Sequence, residues 1–78
     1  MTDEVQRARD MLHRAGTCAL RAKAALNNYQ HDFERGVDQA NLYICDAEAL
    51  LRRARAALIR DPVLRADALA DAPKEPDV

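Results

Sequence analysis

Nothing constrains this chain more than a row of small and apolar residues recurring every three and four positions. Val5, Ala8, Leu12, Ala15, Ala19, Ala22, Leu26, Tyr29 and Phe33 keep that step, and Val37, Ala40, Ile44, Ala47, Leu51, Ala54 and Leu58 repeat it. Alternating steps of three and four average 3.5 residues, so each row falls on one stripe of an α-helix and makes a coiled-coil seam. The expected fold is all-α: an antiparallel helical hairpin with an alanine-rich seam.

Gly36-Val37-Asp38 is the preferred turn. Gly36 can close a helix in the left-handed conformation, Val37 can fold back on the last turn, and Asp38 can cap the second helix. Helix 1 is then expected over about 3–34, the turn over 35–38 and helix 2 over about 38–60. This pairs Leu12 with Leu58, Ala19 with Leu51 and Leu26 with Ile44. A rival turn ends helix 1 at Asn27-Asn28, caps helix 2 with Asp32 and keeps Gly36 inside the helix, at about 1 kcal/mol relative to alanine. The rival pairs Val5 with Leu58 and Leu12 with Leu51, and it places Cys18 near Cys45. A third option is one unbroken helix, because positions 40, 43, 47, 50, 54 and 57 continue the step of the first row. Asp61-Pro62 predicts a stop and a restart, with a short third helix over about 62–70. Residues 1–71 form one domain, and 72–78, with Pro73 and Pro76, read as a flexible tail.

A chain of 78 residues buries only roughly 60% of its unfolded surface, and a two-helix hairpin leaves one side of each helix wet. A partner or a second copy is therefore expected, assembling a four-helix bundle. The formal net charge of −1 argues against a general polyanion binder. Residues 1–26 and 41–60 are net basic, whereas 27–40 and 61–78 are net acidic. No stretch approaches a membrane span. Met-Thr-Asp-Glu has no basic region before an apolar run, so the cytoplasm is expected, with two reduced thiols. Alanine- and arginine-rich usage is compatible with a GC-rich bacterial or phage genome.

Catalytic chemistry finds little support. His13, Cys18, His31 and Cys45 lack the i,i+3 or i,i+4 spacing of a helical metal pair, so no metal or other cofactor is expected. Arg7 and His13 match a loose spacing seen in some helical ribonucleases, a pattern that any arginine-rich helix produces by chance. No nucleophile–base pair or glycine-rich phosphate loop exists, and the chain is read as non-enzymatic. Arg7, Arg14, Arg21 and Arg35 share one heptad position opposite much of the seam. That stripe can track a phosphate backbone, although it serves equally as the soluble face of a long helix.

Apolar residues remain once the seams are paired. Leu42, Tyr43, Ala49, Leu50, Ala56 and Ala57 form a second band on helix 2, and Met11, Cys18 and Ala25 add to it from helix 1. A helix apolar over more than one stripe is buried on more than one side. Tyr29, Phe33 and Tyr43 gather near the hairpin tip, where aromatics serve as interface anchors or as end plugs. The candidate partner-binding residues are thus Leu42, Tyr43, Leu50, Tyr29, Phe33 and Met11.

Residues 15–60, with Arg35-Gly36-Val37-Asp38-Gln39 as the turn and Ala47-Glu48-Ala49-Leu50-Leu51 in the second helix, resemble the small co-chaperones of type III secretion systems. The resemblance is one of architecture and carries no diagnostic motif. It implies a cytosolic, non-catalytic hairpin that pairs with a larger helical-repeat chaperone. An adaptor, a co-chaperone and a phage- or mobile-element-encoded inhibitor of a host complex fit the residues alike; a nucleic-acid binder is the rival of another class.

Overall fold

The chain reverses at Asp32. Its side chain accepts a hydrogen bond from the Arg35 N–H at 3.1 Å, and its carbonyl accepts one from the Gly36 N–H at 3.1 Å. These satisfy donors that the first turn of a helix leaves without partners. A computed structural model describes residues 3–28, 32–74 and 76. It contains three helices, α1 (Asp3–Asn28), α2 (Phe33–Ala57) and α3 (Pro62–Asp71). Among the described residues there is no strand.

The preferred turn is therefore corrected. Residues 35–38 lie within α2, helix 1 stops at Asn28 rather than near residue 34, and Gly36 is a buried helical residue without a positive φ. The physical reason is local. Gly36 sits one turn from a helix start that Asp32 caps, where glycine's poor propensity matters less than in mid-helix. Val37 and Asp38 are free to continue the helix.

Helices α1 and α2 pack along most of their length. The buried residues of α1 are Ala8, Met11, Ala15, Cys18, Ala22 and Ala25; those of α2 are Gly36, Ala40, Leu50, Ala54, Ala56 and Ala57. Two clusters make the core. One joins Ala8, Met11, Ala15 and Cys18 to Leu50, Ala54 and Ala57, with Ala47 against it; the other joins Ala22 and Ala25 to Ala40, with Tyr43 against it. The membership fits a register that sets Met11 beside Ala54, Ala15 beside Leu50, and Ala22 beside Tyr43. Bulky and small side chains alternate across the seam, the arrangement that lets knobs fill holes at the short end of the ~8–10 Å interaxial range.

The seam is rotated from the expected one. Ala8, Ala15, Ala22, Ala40, Ala47 and Ala54 belong to both. Met11, Cys18 and Ala25 replace Leu12, Ala19 and Leu26, while Tyr43, Leu50 and Ala57 replace Ile44, Leu51 and Leu58. Side-chain size supplies a reason: Ala25 and Ala57 fill seam positions that Leu26 and Leu58 would otherwise take, which lets the helices approach closely at those levels. After Leu58 closes α2, Asp61 caps α3, its carboxylate accepting from the N–H groups of Val63 and Leu64 at 2.9 and 3.2 Å. Helix α3 and the segment after it return along the side of α2 that carries Ala49, Arg52 and Ala56.

Candidate partner-binding face

With the seam rows labelled a and d, the flanking rows e and g differ completely in chemistry. Row e holds Val5, Leu12, Ala19 and Leu26 on α1, with Val37, Ile44, Leu51 and Leu58 on α2. Row g holds Arg7, Arg14, Arg21 and Asn28 on α1, with Gln39, Asp46, Arg53 and Arg60 on α2. The helices run in opposite directions, so both e rows edge one side of the hairpin and both g rows the other. Val5 and Leu58 accordingly line one depression.

The e side is open. Leu12, Leu26, Ile44, Leu51 and Leu58 are each 42–51% exposed, and Val5 and Val37 are half-buried. The hairpin register levels Val5 with Leu58, Leu12 with Leu51, Ala19 with Ile44 and Leu26 with Val37. The molecule measures 50 × 24 × 16 Å, little more in its thinnest direction than one helix of ~10–12 Å with side chains. Among the described residues no second layer of helices covers this side.

The g side is closed by the chain itself. Arg53 Nη1 donates to the Pro73 carbonyl at 3.2 Å, and Arg14 Nη2 donates to that of Pro76. The described part of the expected flexible tail is thus held along this flank by two arginines. The Arg53 Nε is buried without a hydrogen-bond partner.

The residues singled out in the sequence scatter over this frame. Leu50 is fully buried and Met11 nearly so, both inside the seam, and Tyr43 is half-buried against the alanines of the second cluster. None of the three offers a free docking surface, which corrects their assignment. Leu42 and Phe33 are exposed, Leu42 on the side away from row e and Phe33 at the start of α2. Tyr29 lies outside the described residues, as does His31. The arginine stripe is interrupted: Arg7, Arg14 and Arg21 share row g of α1, whereas Arg35 belongs to the first turn of α2 on another row. Arg7, Arg14 and His13 border a shallow groove beside Asp10 and Met11, where Asp10 offsets the positive charge.

Both cysteines are free, Cys18 buried in the seam and Cys45 exposed. The turn that would bring them together is the one observed, yet the rotated seam turns Cys45 outward. Among the described residues no three His, Cys, Asp or Glu side chains are grouped to hold a metal ion, and no helix is long and apolar enough to cross a membrane. Near the helix ends, Arg65 of α3 approaches Glu4 of α1 at 3.9 Å.

The exposed apolar row that the sequence did not single out as surface is the row of e leucines. Their periodicity was visible; only their assignment to the seam hid them. Comparison with protein-family models, curated proteins and solved structures finds no match for this chain.

Proposed function

We propose that the chain is a non-enzymatic protein-binding module that docks its e-row flank on the helical surface of a partner, as an adaptor, co-chaperone or inhibitor. The observation that carries this reading is a continuous apolar flank with five half-exposed large side chains on a hairpin whose other flank is already closed. Exposed leucines scattered singly are ordinary, but a contiguous strip on a thin domain is the usual form of an interaction site. The co-chaperone resemblance fits the same role, acting in the cytoplasm by occupying a partner's surface. A phage or mobile-element origin would suit an inhibitor of a host complex equally. Nucleic-acid binding through the arginines is less well supported, since Arg14 is engaged by the tail and Arg35 stands off the row.

The test is affinity capture from the native cell with wild-type chain and with Leu12→Asp combined with Leu51→Asp. Loss of the partner with helical circular dichroism preserved is the expected result. A partner retained by the double variant defeats the reading, and so does capture that instead fails on Arg7→Glu with Arg21→Glu and weakens steeply with salt.

A further inference from the structure

We infer that α3 and the segment after it form a detachable cover over a second docking stripe on the outer side of α2, and that a partner's helix with small and acidic residues displaces it. The stripe is separate from the e-row flank, so the inference does not rest on the docking-face reading. Three observations carry it.

The first is what the cover hides. Ala49, Arg52, Ala56 and Ile59 follow steps of three and four, and they line the depressions bordered by α3 and Pro73. Ala56 is 4% exposed yet belongs to neither seam cluster; it faces Ala68, Ala72 and Pro73. Leu42 and Cys45 continue the same step toward the start of α2 and stay exposed. The ten residues of α3 reach only ~15 Å at 1.5 Å per residue, and the whole stripe needs ~25 Å. A longer helix therefore gains apolar contact that α3 leaves unmade.

The second is how lightly the cover is held. No residue of α3 is buried, and its bulky Val63 and Leu64 are 69% and 59% exposed. So short a helix is not stable by itself in water. Polar contacts hold it instead: the Asp61 cap, the approach of Arg65 to Glu4, and the carbonyls of Pro73 and Pro76 on Arg53 and Arg14. Such a unit opens locally while the seam of α1 and α2 stays closed.

The third is charge. Arg52 and Arg55 of α2 line one depression with Asp71 of α3, so basic and acidic groups meet across the contact. Two residues run against this pattern. Arg65 turns to Glu4 of α1, and Glu48 lies farther along the stripe, beside Pro73. The stripe thus accepts alanines at a helical step with an acid beside them at its Arg52–Ile59 end.

Thiol labelling of the full chain tests the cover. In a Cys45→Ser background, the thiol of Ala56→Cys should react with N-ethylmaleimide about tenfold or more faster than buried Cys18, because local opening costs less than opening the seam. It should react more slowly than the thiol of Leu42→Cys. Reaction at the rate of Cys18, or at the rate of position 42, would overturn the cover.

The occupant is tested with a fluorescent peptide that copies residues 61–72 and continues as two alanine- and leucine-containing helical turns where the chain has Pro73. It should bind the wild-type chain and lose about tenfold or more in affinity on Arg52→Glu or Leu42→Asp. Ala68→Arg weakens α3 and leaves the stripe intact, so it should tighten binding about tenfold by raising the fraction of open chains. A peptide that fails to bind, or that binds Ala68→Arg no better than wild type, would overturn the displacement. Leu12→Asp with Leu51→Asp should leave the peptide bound; its loss there would move the peptide to the e-row flank and remove the second stripe.

Discussion

The two flanks of the hairpin solve the same problem in opposite ways. On the g side, arginines meet backbone carbonyls of the chain's own C-terminal segment, so polar groups are satisfied within the molecule. On the e side, large apolar side chains at matching levels of both helices are half-exposed. Hydrogen bonds of the first kind contribute only ~0.5–1.5 kcal/mol each. Apolar burial scales with area, at ~25 cal/mol per Å². The flank kept open is thus the one on which a partner gains most by covering it.

Neighbouring residues separate the seam from the open flank most sharply. Leu50→Asp should abolish the helical circular-dichroism signal, because it exceeds the roughly 2–5 kcal/mol of a buried leucine truncation by placing a carboxylate in the seam. Leu51→Asp, one residue on, should leave that signal unchanged. Equal effects from the two would erase the distinction between seam and flank. Asp32→Ala should come next, lowering stability by about 1 kcal/mol through loss of the cap, read as a shift in urea midpoint. Since the cap sets the register that levels one e row with the other, the same variant should loosen anything docked there.

Gly16→Ala should act in the opposite direction, raising stability by up to about 1 kcal/mol, because the added methyl meets only open space. A destabilised Gly16→Ala would place hidden packing on the flank described as open. Arg53→Ala should have the smallest effect, a loss of about 0.5–1 kcal/mol. It removes the bond to the Pro73 carbonyl but also relieves the buried, unbonded Nε. Faster amide exchange after Asp71, with α1 and α2 protected as before, would confirm that the g flank is closed by the tail.

Much of this architecture was legible in the residues. The step of three and four announced the helices, and the sequence pointed to a hairpin rather than a single rod. Less legible were the turn and the face. Gly36-Val37-Asp38 and Asp32 both carry turn chemistry, and the two turns differ by one heptad, so periodicity cannot choose between them. The a row is shared by two candidate seams, one completed by Met11, Cys18 and Leu50, the other by Leu12 and Leu51. Composition favours the second because its leucines are more numerous. Packing favours the first, since alanine at positions 25 and 57 admits a closer approach of the helices than leucine at 26 and 58 would.

Sequence alone determined that two amphipathic helices would pair through alanine, because helical periodicity is a local property written in the order of residues. It also determined that apolar surface would be left over, since the chain has more hydrophobic rows than one seam can bury. Which row goes inside was decided only in three dimensions. Rotation of a helix by one row changes no local preference; it changes only which side chains meet across the seam and which stay in water, and that is settled by how closely the two helices can pack.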